Sequence, residues 1–237
     1  MPTLSIVIPA HNEEKRIKSC LESVSKHKTN DVTEVIVIDN ASTDETYTLA
    51  ASVPGIRVER ESRKGTSSAR ECGLRLATGE LILFLDADSL LPEGWIERGV
   101  THFENKKTVC VSGPYTFYDL GWSWNILSLL YWWVVALPAS WITGSVAVGG
   151  SMIIRRSALE QVNGFDTSVT FYGDDTNTAK RLQKVGRVIF DPFLVLQSSG
   201  RRLREQGLLR TGIIYARNFL SQLLTNKSVT SSHNDIR

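Results

Sequence analysis

The sequence predicts an α/β fold in which a mostly parallel β-sheet is flanked by helices on both faces. Two observations lead to this prediction. Through the first part of the chain, short apolar runs rich in β-branched residues alternate with segments of helical periodicity, as strand–helix three times and then strand. The 237 residues, 42% hydrophobic and 22% charged, contain no internal repeat and no low-complexity linker, so they fit one globular domain.

Seven runs have the length and composition of strands, and the third of them is more polar than the others. The first two contain the sequences "LSIVIPA" and "EVIVIDN", and the fourth is "ELILFLDAD". The predicted strands cover Leu4–Ala10 and residues 34–40, 56–61, 80–88, 108–115, 149–157 and 187–192.

Helical periodicity and end signals predict helices between these strands. In the first helix, apolar residues recur at i, i+3, i+4 and i+7 from Ile17 onward. Asn12 is its predicted cap, with Glu13 and Glu14 in the first turn. The second helix is expected to begin with a capping box, because a serine at position 42 precedes a glutamate at position 45.

Later helices are predicted over residues 66–79 and 175–186, each ended by its last residue, a glycine. Residues 207–224 form a predicted amphipathic helix, and the polar residues 225–237 are expected to be a frayed, flexible tail. The expected domain therefore covers residues 1–224.

The composition argues against several function classes. A net charge of +2 is too small to indicate a nucleic-acid partner, so none is expected. Three widely spaced cysteines lack the spacing of a zinc site and indicate reduced thiols in a cytoplasmic setting. No basic region with a long apolar stretch begins the chain, so we expect no signal peptide. The segment "PAHNEEKR" after the first strand lacks the glycines of a dinucleotide-binding turn, which argues against an NAD-dependent dehydrogenase.

Carboxylates follow two of the predicted strands. Asp39 ends the second strand, while Asp86 and Asp88 end the fourth and would share one face if the extended geometry persisted. Ligands of open parallel sheets bind beyond these carboxyl ends. Two neighbouring carboxylates repel each other, and Mg²⁺ or Mn²⁺ with a phosphorylated ligand would relieve that repulsion. The alternative, that the pair only starts a turn before Pro92, stays open.

A second acidic pair and several basic residues complete the candidate site. Asp174 and Asp175 either cap a helix or supply a general base, and one of them can do each. Arg70 lies in the third helix, and Arg201 and Arg202 lie in "SSGRRLREQG". Arginines match phosphate oxygens in a bidentate way, although a solvated basic surface is the alternative for each of them.

Four stretches together resemble the family 2 glycosyltransferases, which have the GT-A fold. They are "SIVIPAHNEE", "VIVIDNASTDET", "RKGTSSARECGLRLATGELILFLDADSLLPEGWIE" and "GGSMIIRRSALEQVNGFDTSVTFYGDDTNTAKRLQKVGR". The resemblance implies a Rossmann-like nucleotide-binding half over residues 1–90 and an acceptor half over residues 91–224. The "SSGRR" stretch is similar to a subset of bacterial members. The chain departs from the family pattern at Asn40, where aspartate is frequent, and at Cys72, where asparagine is frequent.

The resemblance also implies roles for individual residues. Asp88 would bind the metal, Asp175 would be the catalytic base, and Asp39 would accept a hydrogen bond from the nucleotide base. The nucleotide pocket would be lined by Pro9, His11, Asn12 and Glu13. Lys64 and Arg70 would lie near the ribose or diphosphate, and Arg201 and Arg202 would contact phosphate. Gly149 and Gly150 match the loop near the donor sugar and acceptor, and the further donor-binding residues would be Asp86, Ala87, Gly150 and Asp174.

The activity implied by the resemblance is inverting transfer of a sugar from a nucleotide-diphosphate sugar, with Mn²⁺ or Mg²⁺ as cofactor. Asp39 favours a UDP-sugar, and the acceptor is expected to be a hydroxyl or phosphate on a carbohydrate or a lipid-linked molecule. Two other classes stay open. A Mg²⁺-dependent phosphohydrolase of the haloacid-dehalogenase type also places an Asp-x-Asp sequence at a strand end, and a nucleotide-sugar binding protein needs no catalytic base.

One apolar segment stands apart from the rest of the chain. Residues 120–154 carry no charge and contain five of the six tryptophans. Its "NILSLLYWWVVAL" stretch is shorter than the roughly 20 residues that span a bilayer, and Pro138 follows it, so a spanning helix is disfavoured. A peripheral helix at the inner face of the cytoplasmic membrane, and a helix buried in the core or in a homodimer, both stay open.

Overall fold

The computed structural model describes residues 2–144, 146–169, 173–207, 211–214, 217–218, 221 and 225. The strands are β1 Leu4–Ala10, β2 Val32–Asp39, β3 Arg57–Arg60, β4 Leu81–Leu85, β5 Ser89–Leu90, β6 Thr108–Ser112, β7 Tyr115–Phe117, β8 Ser151–Arg155, β9 Arg187–Phe190 and β10 Leu196–Ser198. The helices are α1 Ile17–His27, α2 Thr46–Ala51, α3 Thr66–Leu76, α4 Trp95–Thr101, α5 Trp122–Tyr131, α6 Leu137–Thr143, α7 Arg156–Gln161, α8 Asp174–Leu182 and α9 Arg201–Gln206. A 3₁₀ turn covers His102–Glu104, and a π-helical turn covers Trp132–Ala136.

Seven strands form one large sheet in the order β3-β2-β1-β4-β8-β6-β9. Strand β1 pairs in parallel with β2 and β4, β2 with β3, and β6 with β9, whereas β8 runs antiparallel to both β4 and β6. The predicted α/β fold with a mostly parallel sheet is confirmed. The reversal at β8 separates a parallel first half, which is the predicted nucleotide-binding half, from a mixed second half.

The sheet buries apolar side chains on both faces. Ile6 and Ile8 of β1 pack on one face in a cluster with Ile17 and Leu21 of α1. Val7, between them, belongs to the cluster on the opposite face that includes residues of α3. This alternation follows from the two-residue period of a strand. Because both faces of the sheet are covered, a ligand would reach it at the carboxyl ends of the strands.

A small second sheet, in the order β5-β10-β7, covers part of that edge. Strand β5 directly follows Asp88, and β10 ends just before Arg201. The short antiparallel pairing of β10 with β5 therefore brings these two distant parts of the chain together.

The predicted caps of the first helices are wrong. Helix α1 begins only at Ile17, with no acidic residue in its first turn and no side-chain cap. Asn12 instead has a φ of 52°, and its side-chain oxygen accepts a hydrogen bond from the backbone N–H of Thr43. Ser42 does not cap α2 either, because its hydroxyl oxygen accepts the backbone N–H of Asn12. Both side chains connect the loops after β1 and β2.

Two later helices end earlier than predicted. Helix α3 ends at Leu76, and Gly79 lies against β1, where an added Cβ would approach the backbone nitrogen of Ser5 to 2.6 Å. Gly79 is therefore required for close packing and does not end the helix. Helix α8 ends at Leu182, and the chain reaches Gly186 through a turn.

The predicted helix over 207–224 and the predicted tail over 225–237 lie mostly outside the described residues.

The helix in the apolar segment, residues 120–154, is longer than the sequence predicted. Helix α5, the π-turn and α6 form one continuous helix over Trp122–Thr143, 22 residues long, with 11% of its most apolar window buried. It is therefore not a core helix of this chain.

Candidate functional site

The carboxyl ends of strands β1, β2 and β4 lie side by side at one edge of the large sheet. Ala10 at the end of β1 pairs with Asp39 at the end of β2, and β1 also pairs in parallel register with β4. The loops that begin at His11, Asn40 and Asp86 therefore start side by side. This edge is where ligands of open α/β sheets bind.

The two aspartates after β4 point to different partners. The strand ends at Leu85, and the backbone N–H of Ser89 donates to the carbonyl of Asp86 at 3.0 Å, which forms a turn. The prediction that Asp86 and Asp88 share one face of an extended strand is therefore wrong. Asp86 faces Arg70, whereas Asp88 faces Arg201.

Arg70 connects the two acidic motifs. Its buried guanidinium contacts Asp86 at 3.3 Å and pairs with Asp174, although 104 residues separate Arg70 from Asp174. Burial lowers the pKa of Arg70, but the carboxylates of Asp174, Asp86 and Asp175 outweigh it and raise the pKa above its usual value. That Arg70 lies near the ribose or diphosphate stays a prediction, and in this structure its guanidinium is paired with the neighbouring carboxylates.

Two glycines make room for this ion-pair network. A Cβ at Gly149 would approach a guanidinium nitrogen of Arg70 to 2.7 Å, and one at Gly150 would lie 2.0 Å from the carboxylate carbon of Asp86. The backbone N–H of Gly149 also lowers the pKa of Asp175. The glycine pair predicted near the donor sugar thus packs directly against the acidic motifs.

Arg201 connects the end of β4 with the loop after β1. Its guanidinium lies 3.0 Å from the carboxylate of Asp88 and forms two hydrogen bonds with the buried carboxylate of Glu13. Burial, together with the charges of Glu13 and Asp86, raises the pKa of Asp88 to about 6, although Arg201 opposes the rise. A predicted phosphate contact and the predicted metal ligand therefore lie next to each other.

Asp175 lies in the first turn of α8, where its surroundings raise its pKa. Gly173, with a φ of 90°, is the N-cap of α8, so neither aspartate occupies the cap position. Burial and the neighbouring charge of Asp174 raise the pKa of Asp175 to about 6, while hydrogen bonds from the backbone N–H groups of Thr176 and Gly149 oppose the rise. A carboxylate with a pKa close to the working pH suits proton transfer.

Asp39 is buried at the end of β2. Its Oδ2 lies 3.8 Å from Arg60, and its Oδ1 has no hydrogen-bond partner in the part of the chain that the structure describes. His11 donates from Nδ1 to the carbonyl oxygen of Asn40 at 2.8 Å. A free acceptor oxygen at this edge is consistent with the predicted contact to a nucleotide base.

Asn40 has a structural role that the sequence did not indicate. Its side-chain nitrogen donates to the carbonyl oxygens of Glu61 and Arg63, and its side-chain oxygen accepts the backbone N–H of Gly65. This departure from the family pattern therefore fixes the loop that leads into α3.

The remaining predicted residues surround this centre. Pro9 is partly exposed in β1, and Ala87 is buried between the two aspartates of the turn. Lys64 is exposed just before α3, and Arg202 is partly exposed at the second position of α9.

Tyr115 of β7 contributes to the site and was not predicted from the sequence. Its hydroxyl donates to Oδ2 of Asp86 at 3.4 Å, and burial followed by the charges of Asp86 and Asp88 raises its pKa well above the usual value. Tyr118 donates to the backbone carbonyl of Asp88 at 3.2 Å. No local pattern marks either tyrosine, since only the small sheet brings them here.

The carboxylate oxygens of the site are suited to a hard divalent cation. Asp86 and Asp88 offer carboxylate oxygens, and Mg²⁺ or Mn²⁺ takes one or two of these together with substrate phosphates. No group of three or more histidine, cysteine or acidic residues arranged to hold a metal occurs among the described residues. The residues therefore fit a cation shared with a phosphorylated ligand and do not form a cation cage made by the protein alone.

The family model described as glycosyl transferase family 2 matches residues 5–162. The chain belongs to this family. Glycosyltransferase AglE of Haloferax volcanii is 32% identical over 124 residues, which cover 49% of this chain and 40% of AglE. Chondroitin synthase of Escherichia coli is 31% identical over 175 residues, 72% of this chain and 25% of that protein. The family 2 chain thus spans less than half the length of these relatives.

Solved structures confirm the GT-A fold for this family 2 chain. Mannosyltransferase PcManGT from Pyrobaculum calidifontis, in complex with GDP-Man and Mn²⁺, matches with a TM-score of 0.71 and 25% identity, covering 93% of this chain and 62% of that one. Glucosyl-3-phosphoglycerate synthase from Mycobacterium tuberculosis, with Mn²⁺, UDP-glucose and phosphoglyceric acid, matches with a TM-score of 0.67 and 22% identity, covering 94% and 79%. The phosphohydrolase alternative loses its basis, because the matching family is a family of transferases.

Proposed function

We propose that this chain is a metal-dependent inverting glycosyltransferase that uses a nucleotide-diphosphate sugar. The observation that supports this most is the bridge made by Arg70, which contacts Asp86 and Asp174. It joins the acidic motif after β4 to the acidic motif that begins α8, so a donor diphosphate and a catalytic base would be near each other.

Asp88, with Asp86 beside it, would hold Mn²⁺ or Mg²⁺ together with the donor diphosphate. When bound, such a cation neutralises the negative charge that develops on the leaving nucleotide diphosphate. Mn²⁺ accompanies the nucleotide sugars in the two solved structures described above, which supports this cofactor.

Arg201 and Arg202 would contact the diphosphate from α9. Planar guanidinium groups bind phosphate oxygens in a bidentate way and remain charged at any working pH. Glu13 holds Arg201 at the edge of the sheet, and this contact pre-orients the guanidinium for the leaving group.

The nucleotide base would lie beside β2, with Asp39 as its acceptor partner. The N3–H of uracil is a donor that a carboxylate can bind, and this favours a UDP-sugar. The adjoining wall would be formed by Pro9, near the end of β1, and by His11 and Asn12, which follow the strand.

Asp175 would remove the proton from the acceptor as the acceptor attacks the anomeric carbon. Attack on the face opposite the leaving group inverts the configuration of that carbon, and the transition state resembles an oxocarbenium ion. The hydrogen bond from the backbone N–H of Thr176, at 2.7 Å, keeps this carboxylate oriented. The acceptor is a hydroxyl or a phosphate on a carbohydrate or a lipid-linked molecule.

A thermal-shift panel tests the donor assignment. UDP, GDP and their sugars would each be added with and without Mn²⁺, and the melting temperature compared. We expect the largest rise with UDP-sugars in the presence of Mn²⁺, because ligands that bind only the folded state stabilise it. An equal response to every nucleotide with and without Mn²⁺ would contradict the proposal.

A further inference from the structure

The continuous helix over Trp122–Thr143, here called the apolar helix, lies largely exposed on the surface. By length and composition it is long and apolar enough to cross a membrane, and only 11% of its most apolar part is buried. The sequence has no charged residue between positions 120 and 154. Surface helices of soluble proteins normally present charged residues to water, so this helix lacks a solvent-compatible face.

Contacts near both of its ends hold the apolar helix against the α/β domain. Asn125, near its beginning, accepts a hydrogen bond from the backbone N–H of Phe117 at 2.7 Å. At its end, the carbonyl of Thr143 accepts from the side chain of Gln183 at 2.9 Å. A helix that crossed a bilayer could not keep both contacts without drawing the catalytic domain into the lipid. The helix therefore lies along the domain surface, with its outer face free.

The outer face is a continuous apolar strip. Ten large apolar side chains of the helix are exposed, among them Leu127, Leu130 and Val134 in the middle. Trp122 and Trp141, near the two ends, are 78% and 76% exposed. Exposed apolar surfaces of this extent mark interaction sites, because they are costly to leave in water.

Aromatic and basic residues at the strip match a bilayer surface. Phe193, 62% exposed, packs edge-on against Trp133, and the guanidinium of Arg98 stacks over Phe193 at 5.2 Å. Arg98 also pairs with Asp191 but stays about half exposed. Lys184 is exposed next to Gln183 at the helix end. Aromatic rings favour the headgroup region, and basic residues are attracted to anionic lipids.

The apolar helix is also connected to the candidate site. Ser128 and Trp132 both donate side-chain hydrogen bonds to the carbonyl oxygen of Tyr115, at 2.8 and 3.2 Å. The hydroxyl of the same Tyr115 donates to Asp86. One residue therefore separates the apolar strip from the acidic motif that the donor would meet.

We propose that the outer face of the apolar helix docks on the surface of an anionic lipid bilayer. The helix then lies parallel to the membrane with its aromatic side chains among the headgroups. Resting on the proposed function, the acceptor is a membrane-borne molecule whose hydroxyl or phosphate reaches the site from the lipid side, past Tyr115.

Flotation and tryptophan quenching test the docking directly. The full chain would be mixed with vesicles of phosphatidylcholine, with and without phosphatidylglycerol, some carrying brominated acyl chains. We expect flotation with anionic vesicles, weaker flotation at high salt, and quenching of the fluorescence. Five of the six tryptophans lie in the apolar segment, and the sixth, Trp95, is buried and donates to the carbonyl of Leu194, so it serves as an internal unquenched reference.

A double variant, Leu130→Glu with Val134→Glu, places two charges on the exposed strip. It should reduce the affinity for anionic vesicles by about tenfold or more, which corresponds to a loss of about 1.4 kcal/mol, because charged side chains are costly to bring into a bilayer. The matched control is Ser25→Glu with Thr48→Glu, which adds two charges at exposed positions of α1 and α2. Melting curves and Mn²⁺-dependent UDP binding should be unchanged in both, which separates failed docking from failure of the proposed function.

Two results would overturn the docking proposal. In the first, the wild-type chain stays in the soluble fraction and its tryptophans are not quenched by any vesicle. In the second, the wild-type chain is a dimer in solution that the double variant dissociates, which would show that a second copy of the chain covers the strip.

Discussion

The guanidinium of Arg201 lies 3.0 Å from the carboxylate of Asp88. The first residue is the proposed partner of the donor diphosphate, and the second is the proposed metal ligand. A cation arriving alone must compete with Arg201 for Asp88, whereas a cation arriving with a diphosphate offers Arg201 a new partner. Metal and nucleotide are therefore expected to bind together better than separately.

Replacing Arg201 should change the binding of the two ligands in opposite directions. In Arg201→Ala, Mn²⁺ alone should bind several-fold more tightly, because a competing positive charge is gone. UDP with Mn²⁺ should bind about 10- to 100-fold more weakly, which corresponds to the loss of charge-assisted hydrogen bonds. Titration calorimetry measures both constants. Arg204→Ala, which alters an exposed arginine of the same helix, is the control, and equal shifts in the same direction for both ligands would refute the competition.

Asp175→Asn should separate chemistry from donor binding. Asparagine keeps the shape of the side chain but cannot accept the acceptor proton, so turnover should fall by about 100- to 10,000-fold. The dissociation constant for UDP with Mn²⁺ should stay within about twofold, since the base contacts the acceptor and not the nucleotide. Release of UDP from the donor, followed with the acceptor present, gives the rate. Glu160→Gln, at an exposed surface acid, should leave both quantities unchanged.

The pH profile should report the raised pKa of Asp175. The base must be deprotonated, so kcat should rise with pH through about 6 and then level off. In Asp175→Asn this rise should disappear from the residual rate. A wild-type profile that is flat between pH 5 and 7 would show that Asp175 is not the group that titrates.

The same carboxylate should lower stability at neutral pH. Its pKa is raised from 3.8 to about 6 on folding, so the cost of its charged form is absent below pH 3.8 and grows as pH rises through about 6. Asp175→Asn should therefore raise the free energy of unfolding at pH 7.5 by about 1–3 kcal/mol. That gain should vanish near pH 4 in denaturant titrations, and a gain that is independent of pH would contradict this explanation.

Arg70 should be a positioning residue that lysine cannot replace. Its planar fork holds Asp86 and Asp174 together, whereas a lysine ammonium is a single point charge. Arg70→Lys should lower the free energy of unfolding by about 3 kcal/mol, as expected for a disturbed buried ion pair. It should also lower kcat more than donor affinity, because the base would no longer be fixed relative to the donor. Arg75→Lys, on the same helix but half exposed, is the control.

The parallel half of the fold was predictable because its signals are local. The strands β1, β2 and β4 are apolar runs whose side chains are buried on both faces, and the acidic residues at their ends fall where parallel strands place ligands. The family resemblance predicted that the acidic motif after β4 and the acidic motif at the start of α8 belong to one site. The spacing of these residues in the sequence did not decide this.

The predictions that were wrong depend on tertiary contacts that no local pattern shows. Asn12 looked like a helix cap, yet its side chain binds Thr43, 31 residues away. The turn after Leu85 separated Asp86 from Asp88, because each is held by an arginine from a distant segment.

The apolar helix was predicted to be too short because Pro138 suggested an end. A proline inside a helix removes one backbone hydrogen bond and often kinks the helix without ending it. Here Pro138 lies two residues after the π-helical turn Trp132–Ala136, and the chain continues as a helix through to Thr143.

Titration calorimetry of UDP against the wild type and Asp88→Ala, with and without Mn²⁺, determines whether Asp88 binds the metal together with the nucleotide. We expect the wild type to bind UDP at least about tenfold more tightly with Mn²⁺ and Asp88→Ala to lose this difference while keeping its melting temperature. Binding that does not depend on Mn²⁺ in the wild type, or a Mn²⁺ effect that survives in Asp88→Ala, would contradict a metal and diphosphate site at the end of β4.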